Sequence, residues 1–124
     1  MNGDAFLDMF GYSTSLNSNG TVVVASSGSG TGYVRIFAYN SGTSIWEQQG
    51  NTINGEASGD FAGGSSVSIS SDGTTIVIGA EENDGTGNNA GHMRIFKYSG
   101  TAWTQMGSDM MVKLPQINLV VRLI

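Results

Sequence analysis

Oxygen-bearing side chains crowd one stretch of this chain, Glu81-Glu82-Asn83-Asp84-Gly85-Thr86-Gly87-Asn88-Asn89, and the chemistry open to such a set is to hold a hard cation. Ca²⁺ takes six to eight oxygen ligands, and Glu82, Asp84 and Asn88 are the candidates. Their spacing departs from a calcium loop of the Asp-x-[Asp/Asn]-x-[Asp/Asn]-Gly kind, because the first ligand position before Gly85 falls on Ala80. The stretch is therefore read first as a solvated insertion, with Ca²⁺ the one cofactor it admits. Catalytic chemistry finds less support. His92 is the only histidine, and a histidine without a nucleophile or carboxylate at motif spacing is read as a strand residue. The serines form no Gly-x-Ser-x-Gly elbow. Gly28-Ser29-Gly30-Thr31-Gly32 is glycine-rich, but no lysine and no helix follow to cradle a phosphate; it is read as a hairpin loop. The chain is not expected to be an enzyme.

The elements that would position these residues follow from a repetition. Gly32-Tyr33-Val34-Arg35-Ile36-Phe37-Ala38-Tyr39 returns 59 positions later as Gly91-His92-Met93-Arg94-Ile95-Phe96-Lys97-Tyr98. The turn Ser18-Asn19-Gly20 returns 53 positions later as Ser71-Asp72-Gly73. The gain between the two falls between Ala80 and Gly91, as expected of an insertion at a surface loop. Each copy reads as four strands. In the second, alternating Ser66 to Ser70 precedes the Asp72-Gly73 turn, and the β-branched run Thr74-Thr75-Ile76-Val77-Ile78 follows. Gly91 to Tyr98 is the third strand, and the fourth centres on Trp103-Thr104-Gln105-Met106. The same four recur from Ser13 to Gln49. Units of this size that cannot bury themselves alone point to a propeller or solenoid.

Composition agrees. The 19 glycines in 124 residues and 12% charged residues suit tight turns between strands better than solvated helices. A net charge of −5 with five Lys and Arg lacks the clustered positive charge that nucleic acid requires. There is no basic, apolar signal-peptide pattern at the N-terminus and no apolar run long enough for a membrane span, so no membrane insertion is expected. The absence of cysteine leaves the redox compartment open.

The expected organisation is a partial connector at 1–9, blade one at 10–52, blade two at 53–109 and a non-repeat apolar tail at 110–124. Asn2-Gly3-Asp4-Ala5 with Asp8 matches Asn54-Gly55-Glu56-Ala57 with Asp60, so the chain opens inside a connector. At the other end the repeat is followed to Met110 and then abandoned. Shifted by one base, the codons of Met110-Met111-Val112 force Asp-Gly and those of Gln116-Ile117 force Asp or Asn, at the spacing of Gly55-Glu56-Ala57 with Asp60. A one-base deletion near codon 110 is the expected origin of 111–124; an apolar closing strand is the alternative. Arg35 and Arg94 recur together and are expected to bridge to a neighbouring blade's acidic connector, Glu56 or Asp60. Trp46, Trp103, Phe37, Phe96, Tyr39 and Tyr98 recur in step and are expected in the core.

These residues resemble the FG-GAP repeats, the blades of integrin-alpha-type β-propellers. The resemblance rests on Phe10-Gly11-Tyr12-Ser13, Gly55-Glu56, Gly59-Asp60, Ser66-Val67, Ser70-Ser71-Asp72-Gly73, Ile78-Gly79-Ala80, Gly91 to Phe96, and Trp103. Unit two departs from it with Phe61-Ala62-Gly63-Gly64 in place of Phe-Gly. The resemblance implies an all-β chain of two four-stranded antiparallel blades, an incomplete propeller ring, and a binding or adhesion role outside the cell or on its surface. A protein or carbohydrate partner would meet the inter-strand loops, at Gly28, Ser29, Thr31, Asn83, Thr86 and Asn89. Other blades of a longer parent, or further copies of this chain, are the expected structural partners. A truncated fragment with no independent function is the alternative.

Overall fold

A computed structural model describes residues 1–4, 8–28, 32–55, 66–80, 90–108 and 110–113, and among them it contains ten strands and no helix. Sheet one comprises β1 (Ser13–Leu16), β2 (Val22–Ser26), β3 (Tyr33–Asn40), β4 (Ile45–Gln48) and β5 (Ile53–Asn54). Sheet two comprises β6 (Ser66–Ile69), β7 (Thr75–Ala80), β8 (Ala90–Tyr98), β9 (Trp103–Gln105) and β10 (Met110–Lys113). Every pairing is antiparallel. The chain is all-β, as its glycine-rich, charge-poor sequence implies.

Each sheet has four strand positions, the last of them broken in two. β4 pairs with the C-terminal half of β3, while β5 pairs with Tyr33 and Val34 at its start. β9 and β10 divide β8 in the same manner. A glycine with positive φ stands at each break, Gly50 at 80° and Gly107 at 74°, a backbone that other residues adopt only at a cost.

The two sheets share one register. Ala25 faces Arg35 as Ile78 faces Arg94, and Val34 faces Ile53 as Met93 faces Met110. The longer link in unit two therefore leaves the ladder untouched. Met110 occupies the place of Ile53, and pairing continues through Lys113, so the first residues of the apolar tail extend the second sheet.

Antiparallel partners project to the same face, which divides each sheet into two surfaces. The front of sheet one carries Leu16, Val23, Ala25, Arg35, Phe37, Tyr39 and Trp46; its back carries Val22, Val24, Val34, Ile36 and Ile53. The central core joins Val24, Val34, Ile36 and Ile53 to Val67, Ile69, Ile76, Ile78, Phe96 and Trp103. The front of sheet two thus packs on the back of sheet one. Ile36, Ile76 and Ile78 are fully buried there, and burying each contributes about 1.5–3 kcal/mol. The unbroken apolar runs follow from this arrangement: Ile76 and Ile78 face sheet one, while Val77 is buried on the opposite face.

Candidate functional site

The segment leading into β1 closes against the β2–β3 connection. Gly11 and Tyr12 N–H donate to the Ser26 carbonyl, and Gly28 N–H donates to that of Asp8 at 3.0 Å. Phe10 stacks on Tyr33 at 5.8 Å and meets Phe37 edge-on at 6.3 Å. This covers part of the front of sheet one and holds the acidic connector over β3.

Arg35 lies at the centre of that closure. Its Nη2 reaches Asp4 Oδ2 at 2.7 Å, its Nε donates to Thr52 Oγ1 at 3.1 Å, and its guanidinium stands 4.5 Å from the centre of the Tyr33 ring. The Tyr33 hydroxyl donates to Asp8 Oδ2 at 2.9 Å, and the same oxygen accepts from Asp4 N–H at 2.8 Å. Burial raises the Tyr33 pKa most; the Asp4 backbone N–H opposes this, and the hydrogen bond and charge of Asp8 add to it. The hydrogen bond to Asp4 raises that of Arg35, against a smaller effect of burial. At neutral pH both protons stay in place, and the cluster ties the connector down on β3. Asp4 is exposed, and an exposed pair is worth at most about 1 kcal/mol.

Arg35 bridges not to a neighbouring blade's connector, as expected, but to Asp4, the counterpart of Glu56, in the connector leading into its own sheet. Glu56 and Asp60 lie outside the described residues. Arg94 is buried, stands 5.4 Å over Phe96, and donates from Nη2 to the carbonyl of Asn54, at the end of β5 in sheet one, at 3.2 Å.

A second constellation joins the sheets at the broken strand. Trp103 N–H donates to Asn51 Oδ1 at 2.8 Å and its indole Nε1 donates to the Gln49 carbonyl at 2.9 Å. A Cβ on Gly50 would fall 2.9 Å from Trp103 Cδ1, so the glycine allows the indole to lie flat on the turn. Tyr98 leans on Trp103 at 5.1 Å, as Tyr39 leans on Trp46 at 5.3 Å. In sheet two Phe96 and Trp103 are core residues and half-buried Tyr98 packs against them. In sheet one Phe37 is buried and Trp46 half-buried, but Tyr39 is exposed, because no second sheet covers that front.

Of the expected loop positions, Gly28 alone is among the described residues. It is buried, and a Cβ there would fall 2.7 Å from Tyr12 Cγ. The Tyr12 ring lies over it and is itself exposed. Ser29, Thr31, Glu82, Asn83, Asp84, Thr86, Asn88 and Asn89 lie outside the described residues. Among the described ones, no three acidic, histidine or cysteine groups stand together to hold a metal. His92 lies on β8 opposite Ala80 and Met111. Sequence reasoning missed the Trp103 clasp; its one signal was the recurrence of glycine four residues after each tryptophan.

Compared with known proteins, the chain matches no family model, and no curated protein matches it at a significant level.

Proposed function

We propose that this chain is a non-catalytic binding module, made of two FG-GAP-type blades of an incomplete β-propeller, which presents its inter-strand loops to a protein or carbohydrate outside the cell or on its surface. The observation that carries the reading is the stacking of one sheet on its repeat, front on back in the same register, with the length differences confined to loops and the largest of them at the β7–β8 link. Such a stack fixes loops of adjacent units side by side, and free variation in a loop over a constant ladder is how scaffolds vary their partners. The described side chains add that Arg35 pairs with Asp4 and the Tyr33 hydroxyl donates to Asp8, which fixes the entry of the chain on β3 beside the β2–β3 connection.

The test is a glycan array probed with the full chain, in parallel with a chain whose residues 81–89 are replaced by a Ser-Gly link of the length found in unit one. Binding that is lost with the loop supports the reading, and binding indifferent to it overturns the role of the loop. Calcium enters the proposal through Glu82, Asp84 and Asn88. A melting temperature unchanged by millimolar Ca²⁺ removes it.

A further inference from the structure

The contact between the sheets is asymmetric, front of one on back of the other, so each sheet also carries the half that it does not use. On the unused front of sheet one, Leu16 is 58% exposed where its counterpart Ile69 is 6%, and Tyr39 is 41% exposed. Trp46 is half-buried where Trp103 is 3% exposed. A Cβ on Gly73 would meet Asn17 and Val22 of sheet one at 3.2 Å, whereas one on its counterpart Gly20 would meet nothing.

The unused back of sheet two is open where a tryptophan would sit. Gly107 has the positive φ of Gly50, but a Cβ there would meet nothing within 4 Å. Met106 and Met110, at the positions of Gln49 and Ile53, are exposed. Val77 and Met93, at the positions of Val24 and Val34, are already buried, which confines the open part to the turn between β9 and β10.

We propose that a second copy of this chain docks here head to tail, setting Trp46 and Tyr39 from the front of its sheet one onto the β9–β10 turn of the first. The occupant is fixed by the molecule's own interface, in which the Trp103–Tyr98 pair sits on the β4–β5 turn. By the same geometry, Trp46 Nε1 donates to the Met106 carbonyl and its indole lies on Gly107. A heterologous contact of this kind closes a ring or runs on as a filament. The inference rests on the inter-sheet geometry and not on the loop-binding reading, so either fails without the other.

Sedimentation of the full chain from low micromolar to submillimolar concentration tests it. The mass is expected to rise to at least twice that of one chain, with Trp46 emission moving to the blue over the same range. Trp46→Ser removes the plug. Gly107→Asn fills the socket with a residue that tolerates positive φ. Each variant is expected to sediment as a single chain, and their equimolar mixture as a dimer and no larger, because one retains the socket and the other the plug. A single-chain mass at every concentration overturns the proposal, as does assembly that survives Trp46→Ser or a mixture of folded variants that stays single. The emission shift uses the unmutated chain and decides the matter even where a variant does not fold; a shift that follows added oligosaccharide instead of protein concentration also overturns it.

Discussion

The indole Nε1 of Trp103 donates across the two sheets to the backbone carbonyl of Gln49 at 2.9 Å. The bond joins the front of one repeat to the broken outer strand of the other, and it is accompanied by near-complete burial of the ring. Trp103→Ala is expected to cost about 3–5 kcal/mol. Trp46→Ala, measured at a concentration where the chain is single, is expected to cost less than about 1 kcal/mol. Urea unfolding followed by far-ultraviolet circular dichroism checks the contrast.

Gly50 and Gly107 separate backbone strain from crowding. Both have positive φ, so alanine at either costs about 1–2 kcal/mol for the left-handed backbone. At Gly50 the new methyl also meets Trp103, and Gly50→Ala is expected to be the more destabilising by at least about 1 kcal/mol. Equal urea midpoints for the two variants would remove the close approach from the explanation.

Gln49 buries its side-chain oxygen Oε1 without a hydrogen-bond partner. An unsatisfied buried acceptor costs about 1–3 kcal/mol, and the repeat places Met106 at the equivalent position. Gln49→Met keeps the backbone carbonyl that Trp103 uses and removes the stranded amide. A gain of about 1 kcal/mol is expected from thermal unfolding, and a loss would show that the amide has a packing role.

Asp72 titrates at about 2 rather than 3.8, chiefly because Ser70 Oγ donates to it, then Thr74 Oγ1 and Thr74 N–H. A depressed carboxyl pKa stabilises the fold above its unfolded value, and the contribution fades as pH falls through the interval down to the folded value. The advantage of the parent over Asp72→Asn is therefore expected to be full above 3.8 and to vanish towards pH 2. Asn19 fills the same turn position in unit one, with Thr21 donating to its Oδ1 from Oγ1 and N–H, so the variant keeps the turn. A constant difference across that interval would contradict the assignment.

Strands, turns and the equivalence of the two units were legible in the sequence because alternation and Asn-Gly or Asp-Gly turns are local signals. The pairing of Arg35 with an acidic connector was legible as a type of contact because Asp4 and Glu56 match in the repeat, but that the connector belongs to its own sheet and not to a neighbouring unit was not. Which face meets which was not. Val22-Val23-Val24 is apolar on both sides, so periodicity cannot tell the back, packed on Ile76 and Phe96, from the front, covered only in part by Phe10. The Trp103 clasp was hidden for a related reason. Its acceptors are a backbone carbonyl at Gln49 and an asparagine at Asn51, more than fifty residues away, and neither has a composition signal of its own. Gly28 was legible as part of a loop, but glycine does not tell what lies over it, here Tyr12.

The interruption of the fourth strand at Gly50 and Gly107 has a further effect on how the chain behaves in a crowded solution. A continuous outer strand would display an unbroken row of unpaired amides and carbonyls, the template on which foreign strands nucleate. Here the row is cut into segments as short as Ile53–Asn54 and Trp103–Gln105, offset by a turn held at positive φ. The glycine that lets an indole lie flat thereby also denies an invading strand its ladder, protecting the outer rim from edge-to-edge aggregation while leaving the apolar faces free to select a partner by shape.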